Sequence, residues 1–228
     1  VQWLRPPYYA DGWRFDVANM LARNGQVQLH REVWQEMRRA IKRVRPDAYL
    51  MGEHFFDPVD MLDGSQLDGA MNYQGFYFPL LRFLTAHEHQ VPKGHRQAIP
   101  IQYDGADFAQ QLVDAMARLP FRVAQQQYNL LGCHDTTRIL SRLSGDEDLL
   151  RLAVLLLFTW PGVPSLYYGD EIGLTGVGDP GCRGCMPWDE RDWNKDLRRF
   201  IKRLVGLRRD EVALNQGGCT VLAANGNI

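Results

Sequence analysis

Residues 11–17, which read DGWRFDV, determine how the rest of the chain is interpreted. Side chains alternate along a β-strand, so Arg14 and Asp16 would share one face while the apolar residues share the other. An arginine two residues before an aspartate on the same face can hold that carboxylate ionised and oriented. The stretch indicates either a functional carboxylate or a structural ion pair at a strand end, and alone it does not separate the two.

The composition is that of an ordinary globular protein. Of the 228 residues, 45% are hydrophobic and 23% are charged, and the formal net charge is -1. This balance excludes a disordered chain, and no overall field favours nucleic acid or an anionic membrane as a partner. The longest apolar run, 152–160, is too short to span a bilayer.

The four cysteines include one C-x-x-C pair, Cys182 and Cys185. A zinc site would need further ligands, and no second C-x-x-C or H-x-x-x-H completes it. We therefore expect free thiols in a reducing compartment, with a local disulfide as the alternative.

Short apolar segments alternate with segments of helical periodicity. Strands are predicted at 11–17, 48–51, 69–73, 129–132, 165–168 and 219–224. Helices are predicted at 29–45, 76–86, 104–119, 149–160 and 197–209. The first helix should present its basic residues to solvent, and the nearly all-apolar helix at 149–160 should be buried on most sides. The alternation predicts parallel strands covered by helices, as in a (β/α) barrel or an open α/β sheet.

Three carboxylates follow predicted strands: Asp16, Glu53 and Asp135. The carboxyl ends of parallel strands meet at one edge, where barrels and open sheets build their active sites. Such acids indicate either glycoside cleavage by a carboxylate pair or a divalent-metal site. Aromatic residues nearby favour a sugar, whose apolar faces lie well on aromatic rings. They are Phe55, Phe56, Tyr73, Trp160, Tyr167, Tyr168 and Trp188.

Two other groups of polar residues are candidates for chemistry. His87, Glu88, His89 and His95 could bind a transition metal, but their spacing matches no closed site and a polar loop is favoured. Asp170 and Glu171 could form a second acid pair. Because adjacent strand residues point apart, a structural or rim role is favoured for them.

Three segments resemble signature regions of the α-amylase family of glycoside hydrolases (family 13), in the family's order. They are residues 11–17, 52–55 (GEHF) and 131–135 (LGCHD). Further matching segments extend the resemblance across nearly the whole chain: 70–73, 158–164, 167–171 and 186–188. The combination of GEH at 52–54 with GGC at 217–219 most resembles the branch of maltodextrin glucosidase, cyclomaltodextrinase and neopullulanase.

The resemblance implies a (β/α)8 TIM barrel of which residues 1–211 hold strands four to eight with their helices. Residues 212–228 would begin a C-terminal antiparallel β domain. The family's first signature region and first three strands would lie upstream of residue 1. A barrel without three strands exposes two long sheet edges and should not fold well alone.

The resemblance also implies a role for each matching residue. Asp16 would be the nucleophile, Glu53 the general acid and then the base, and Asp135 the group that stabilises the transition state. Arg14 would orient Asp16, and His134 would hydrogen-bond sugar hydroxyls. Three more residues are implied to lie at the substrate: His54, Asn72 and Tyr73. A retaining mechanism needs two carboxyl groups about 5 Å apart, one ionised and one protonated.

The surroundings of these acids agree with that division. Arg14 should keep Asp16 charged, while neighbouring carboxylates and the rings of Phe55 and Phe56 should favour a protonated Glu53. One departure is Cys133, which stands where the family usually has serine, asparagine or another small polar residue. It offers a thiol near the site.

The sequence therefore predicts a retaining hydrolase of α-1,4-glucosidic bonds in maltodextrins, without a metal or cofactor. Cyclomaltodextrinase, neopullulanase or α-amylase action is the alternative within the family. A non-catalytic carbohydrate-binding chain, or an inactive truncated piece, is the alternative of another class. We expect an oligosaccharide substrate, no nucleic acid or membrane partner, a cytoplasmic location, and a homodimer as one option for the full-length protein.

Overall fold

The computed structural model describes residues 1–85 and 103–226. The strands in these ranges are β1 (Gly12–Phe15), β2 (Arg23–Asn24), β3 (Val27–Gln28), β4 (Tyr49–Gly52), β5 (Gly69–Ala70), β6 (Tyr128–Leu130) and β7 (Val163–Ser165). The helices are α1 (His30–Val44), α2 (Phe78–Leu84), α3 (Gly105–Ala117), α4 (Phe121–Ala124), α5 (Ile139–Arg142), α6 (Glu147–Thr159), α7 (Gly178–Gly181), α8 (Lys195–Asp210) and α9 (Val212–Gln216). The candidate metal ligands His87, Glu88, His89 and His95 lie outside the described residues.

Five of the strands run parallel. β1 pairs with β4 and β4 with β5, while β6 pairs with β7. A single parallel bridge between Met71 and Tyr128 joins the end of β5 to the start of β6. The order in space therefore follows the order in the chain, with helices in the crossovers, as the strand–helix alternation predicts. The antiparallel hairpin of β2 and β3 was not predicted.

The close approach of β1 to β4 depends on a glycine. A Cβ on Gly12 would lie 2.1 Å from the carbonyl oxygen of Tyr49. Any other residue would push the two strands apart at the point where their pairing begins. This explains why the stretch at 11–17 begins its strand with glycine.

Helix α1 covers the end of β1 that carries the acid. Trp34 is fully buried, and its indole Nε1 donates to the carbonyl oxygen of Ala18 at 3.3 Å. The helix ends where Arg45 becomes extended before Pro46. The predicted helix starts at residue 29, but Leu29 precedes the helix and is exposed.

The basic face of α1 is not wholly solvated, which corrects the sequence prediction. Arg38 and Lys42 both pair with the half-buried carboxylate of Asp68, at 2.8 and 2.9 Å. Asp68 in turn accepts from the backbone N–H of Leu50. These contacts tie α1 to the residue that precedes β5.

Two further predictions are wrong in detail. Helix α6 is buried on one face only, because Leu152 is 57% exposed, while Leu150 and Leu157 are fully buried. The strand predicted at 219–224 has no regular structure, and Leu222 is 94% exposed. A strand needs a neighbour to take its backbone hydrogen bonds, and no described strand pairs with this segment.

The strand predicted at 165–168 begins two residues earlier and ends at Ser165 (Val163–Ser165), so that Tyr167 and Tyr168 follow the strand instead of belonging to it. The helix predicted at 76–86 opens with a π-helical turn, Tyr73–Tyr77.

No helix in the described part of the chain is both long enough and apolar enough to cross a membrane.

A buried arginine joins the last long helix to the last strand. The guanidinium of Arg208 donates to the carbonyl oxygens of Phe158, Trp160 and Gly162, at 2.8, 3.1 and 2.5 Å. Phe158 lies in the last turn of α6, and Trp160 and Gly162 lie in the segment that leads from α6 into β7. The contact fixes α8 against the parallel sheet.

We predict that Arg208→Met lowers the free energy of unfolding by about 3 kcal/mol, because three buried carbonyls lose their donor. Urea denaturation followed by circular dichroism measures the change. Arg209→Met is the matched control, since Arg209 is exposed and, within the described part of the chain, its ion pair is with its neighbour Asp210. Its effect should stay below about 0.5 kcal/mol. Equal effects of the two substitutions would contradict this account of Arg208.

Candidate active site

Adjacent parallel strands deliver two carboxyl groups to the same end of the sheet. Phe15 pairs with Gly52, and the backbone N–H of Glu53 donates to the carbonyl oxygen of Phe15 at 2.9 Å. Asp16 and Glu53 are thus the residues that directly follow β1 and β4, after the last paired residues of the two strands. Acids at the carboxyl ends of neighbouring strands are typical of α/β active sites.

One guanidinium holds both carboxyl groups. Nη1 of Arg14 lies 2.5 Å from Oδ1 of Asp16, and Nη2 lies 2.7 Å from Oε1 of Glu53. The contact with Glu53 is an ion pair without hydrogen-bond geometry. The planar fork of arginine suits such bridging, because its nitrogens are fixed relative to one another. The other oxygen of Glu53 accepts from the backbone N–H of Val17 at 2.9 Å.

The two acids have opposite environments. The side chain of Asp16 is 74% exposed, whereas that of Glu53 is 3% exposed. The hydrogen bond and the positive charge of Arg14 lower the pKa of Asp16 against the opposing effect of burial, and the neighbouring His134 acts in the same direction as Arg14. Asp16 is therefore an ionised group that a ligand can reach, and Glu53 is a buried acid beside it.

Asp135 and His134 lie beyond the end of β6 and contact each other. Oδ2 of Asp135 is 3.1 Å from Nε2 of His134, and Oδ1 is 3.0 Å from Nη2 of Arg183. Among the described residues, no hydrogen bond or ion pair joins Asp135 directly to Asp16 or Glu53. His134 is the group of this pair that acts electrostatically on Asp16.

Sequence reasoning missed Arg183. It lies in the glycine-rich segment at 173–186, where no pattern marks a functional residue, and it also contacts Asp179 at 3.0 Å. A neighbouring contact holds this segment in place, because the thiol of Cys182 donates to the carbonyl oxygen of His134 at 3.1 Å. Cys182, Cys185 and the other two cysteines are free, which confirms the prediction of unpaired thiols.

The aromatic ring of Tyr73 belongs to the packing beneath the site. Tyr73 is fully buried, stacks on Phe55 at a centroid distance of 4.2 Å, and its hydroxyl lies 3.2 Å from the sulfur of Cys133. Burial is the largest cause of the raised pKa of Tyr73. A direct substrate contact for Tyr73 remains a prediction.

His54 and Asn72 are also held within the protein. His54 is buried, which lowers its pKa against the opposing effect of a backbone hydrogen bond with Phe56. Asn72 uses both ends of its amide, donating to Asn129 at 2.8 Å and accepting from the N–H of Gly75 at 3.0 Å. It lines a cavity of about 180 Å³ that does not include Arg14. Their roles at a substrate likewise remain predictions.

A second cavity, of about 200 Å³, lies between the strand ends. Its polar lining includes Arg14 and His134, and Tyr167 closes one side. Cys133 also contributes to the wall. The structure therefore brings together the arginine of β1 and the histidine that follows β6, although 120 residues separate them in the chain.

Asp170 has the structural role that the sequence favoured for the pair of Asp170 and Glu171. Asp170 is buried and pairs with Arg138 at 3.2 Å, and burial raises the pKa of Asp170 to about 7. The guanidinium of Arg138 lies over the rings of Tyr167 and Tyr168 at 4.6 and 4.8 Å. This cluster anchors the segment that follows β7.

Comparison with known proteins identifies the class to which this fold and site belong. A family model described as "Alpha amylase, catalytic domain" matches residues 1–214. The chain belongs to the alpha-amylase family (glycoside hydrolase family 13).

Particular relatives are similar along nearly the whole chain. A cyclomaltodextrinase of Geobacillus thermopakistaniensis is 36% identical over 99% of this chain and 34% of its own length. A cyclomaltodextrinase of Bacillus sp is 39% identical over 95% of this chain and 35% of its own. The structure of a cyclic alpha-maltosyl-(1→6)-maltose hydrolase from Arthrobacter globiformis, in its ligand-free form, is 35% identical with a TM-score of 0.82, covering 96% of this chain and 46% of that one. The chain spans about a third of the length of the curated relatives it matches.

We predict that Arg14→Gln moves the titration of Asp16 to higher pH, because the hydrogen bond and the positive charge that lower its pKa are removed. Carboxyl ¹³C NMR of aspartate-labelled protein measures this directly. Arg31→Gln is the control, since Arg31 pairs with Asp63 elsewhere on the surface. An unchanged titration of Asp16 in Arg14→Gln would show that Arg14 does not set its charge.

Proposed function

We propose that this chain carries the catalytic acids of a retaining α-glucan hydrolase, which cleaves α-1,4-glucosidic bonds of maltodextrins. The observation that carries the proposal is the single guanidinium of Arg14 between Asp16 and Glu53. It joins one exposed, ionised carboxylate to one buried carboxyl group at the same strand ends. Two carboxyl groups with different environments are what a retaining glycosidase requires.

In this proposal Asp16 attacks the anomeric carbon, and the bond from that carbon to the glycosidic oxygen breaks. Glu53 gives its proton to the departing oxygen, so the leaving chain departs as a neutral alcohol. A covalent glycosyl group is then attached to Asp16. Glu53 next takes a proton from water as the water attacks the same carbon, which releases Asp16 and regenerates both acids.

His134 and Asp135 would act on the sugar itself. The exposed imidazole can donate to a hydroxyl group, and the carboxylate can stabilise positive charge that develops on the ring. Both groups are about 40% exposed, which leaves them accessible to a ligand. The contact of Arg183 with Asp135 would orient that carboxylate.

The remaining proposals concern the whole protein. Residues 1–211 would be strands four to eight of a (β/α)8 barrel, and residues 212–228 would begin a C-terminal β domain. Five parallel strands in chain order support the first part. The free thiols support a cytoplasmic location. A homodimer remains one option for the full-length protein.

A cyclic substrate is the second candidate. Two relatives whose sequences are 36% and 39% identical to this chain are named cyclomaltodextrinase. Because a cyclic dextrin has no chain end, comparing β-cyclodextrin with linear maltoheptaose separates the candidates. Faster cleavage of the linear chain favours a maltodextrin glucosidase or α-amylase, and faster cleavage of the ring favours a cyclomaltodextrinase.

We predict that Asp16→Asn, Glu53→Gln and Asp135→Asn each lower kcat for p-nitrophenyl α-maltoside and maltotriose by about 10³-fold or more. The assay would use a protein extended upstream to a whole barrel, with this chain alone for comparison. Asp47→Asn is the matched control, because Asp47 is exposed and lies at the opposite end of β4. ¹H NMR of the first product distinguishes retention of the anomeric configuration from inversion.

The outcomes separate the alternatives. Full activity of Asp16→Asn would overturn the assignment of the nucleophile and the mechanism built on it. Activity that a chelator abolishes would favour a metal hydrolase. If the extended protein binds maltotriose without cleaving it, the chain belongs to a non-catalytic carbohydrate-binding protein.

A further inference from the structure

Three different ligand atoms converge beside the candidate active site. The sulfur of Cys133, a nitrogen of His134 and a carboxylate oxygen of Asp135 all lie within 4.8 Å of one another. The imidazole nitrogen and the carboxylate oxygen are already 3.1 Å apart. Consecutive residues seldom converge in this way, because their side chains ordinarily diverge along the backbone. Here the turn after β6 folds them together.

Two hydrogen-bonding groups lie beside the sulfur of Cys133. The backbone N–H of Asp135 donates to Sγ, with a nitrogen–sulfur distance of 3.4 Å, and the hydroxyl of Tyr73 lies 3.2 Å from the same atom. The N–H of Asp135, and the hydroxyl of Tyr73 when it donates, would stabilise the thiolate that forms when a metal displaces the thiol proton. They are the supporting contacts that ligating residues in metal sites commonly make.

The other two ligands are held in a similar way. Arg183 binds Oδ1 of Asp135 at 3.0 Å, which leaves Oδ2 on the side of His134. The thiol of Cys182 donates to the carbonyl oxygen of His134 and fixes the backbone of that residue. Cys133 and Asp135 therefore have contacts to their side chains from outside the cluster, and the backbone of His134 is held by Cys182.

An ion can reach this space. The sulfur is buried, but His134 and Asp135 are partly exposed, and Cys133 and His134 line the 200 Å³ cavity between the strand ends. The negative charge of Asp16 also lies near His134. A cation entering from solvent meets the carboxylate and the imidazole first and the sulfur last.

We propose that Cys133, His134 and Asp135 bind a thiophilic divalent cation such as Zn²⁺, and that the bound ion blocks the active site. A thiolate, an imidazole and a carboxylate are zinc ligands, and a water molecule would fill the fourth position. Calcium and magnesium prefer oxygen ligands alone and do not suit the sulfur. On binding, the S–H bond of Cys133 breaks, its proton passes to solvent, and a sulfur–metal bond forms without any change of oxidation state.

The bound ion would inhibit because two of its ligands, His134 and Asp135, are the residues proposed to contact the sugar. The inhibitory role therefore rests on the proposed function. The same imidazole and carboxylate would contact the sugar, so an ion that holds them removes both from the substrate. Binding of the ion itself does not depend on any catalytic role. The two can therefore be measured separately.

The first experiment uses Co²⁺ in place of zinc, with the barrel-extended protein. A thiolate bound to Co²⁺ gives a charge-transfer band in the near ultraviolet, which reports the sulfur ligand directly. We expect this band in the wild-type protein and in Cys185→Ser, whose exposed thiol lies outside the cluster. We expect its loss in Cys133→Ser. A band that survives in Cys133→Ser, or that is absent from the wild-type protein, overturns the proposal.

The second experiment titrates ZnCl₂ into the maltotriose assay, with each variant normalised to its own rate without metal. Zinc should inhibit the wild-type protein, a chelator should restore the rate, and Cys133→Ser should need at least about tenfold more zinc. Equal zinc sensitivity of Cys133→Ser and wild-type protein would overturn the inhibitory role. A protein that cleaves no α-glucan defeats the proposed function instead, and the cobalt band still decides whether the site exists.

Discussion

The organisation of the site depends on how one arginine is shared. Arg14 lies in the middle of the β1–β4 pairing, opposite Met51, so its position is set by the sheet and not by a loop. From there its two terminal nitrogens reach a carboxylate on its own strand and one on the neighbouring strand. A lysine would hold the two carboxyl groups less precisely, because its single ammonium lacks the fixed spacing of two guanidinium nitrogens. The separation of Asp16 and Glu53 therefore follows from the strand register and the width of a guanidinium.

The rest of the fold keeps that register in place. Gly12 allows β1 to approach β4, and Trp34 holds helix α1 against the segment that follows Asp16. A slip of the strand pairing by one residue would move every side chain of β1 to the opposite face of the sheet. Arg14 would then be buried and the apolar side chains of β1 would be exposed. Asp68 opposes such a slip as well, since it joins α1 to the backbone of β4.

The sequence allowed prediction of those parts of the site that rest on strand ends. Asp16, Glu53 and Arg14 follow from alternation and register, which are local properties of two short strands. Arg183 could not be found in this way, because its contact with Asp135 is made by an irregular segment 48 residues away. The strand expected at 219–224 was wrong for a related reason. Its apolar residues fit a strand, but a strand forms only where a partner is present.

The charges of the site do not cancel, and this has a consequence for its chemistry. Arg14 is shared by Asp16 and Glu53, and Arg183 is shared by Asp135 and Asp179. With Glu53 protonated, as the proposed mechanism requires, the charge of Asp16 balances that of Arg14. The excess negative charge comes from Asp135 and Asp179, which share the single positive charge of Arg183. The residual negative charge is concentrated beside a cavity whose walls are mostly apolar, where its effect on a nearby charge exceeds that in water. A site with this arrangement stabilises positive charge, whether on a sugar ring in an oxocarbenium-like transition state or on a metal ion. The same electrostatics therefore supports both proposed ligands, and Cys133 is the residue that distinguishes between them, because a sulfur ligand binds a thiophilic cation and contributes nothing comparable to a sugar.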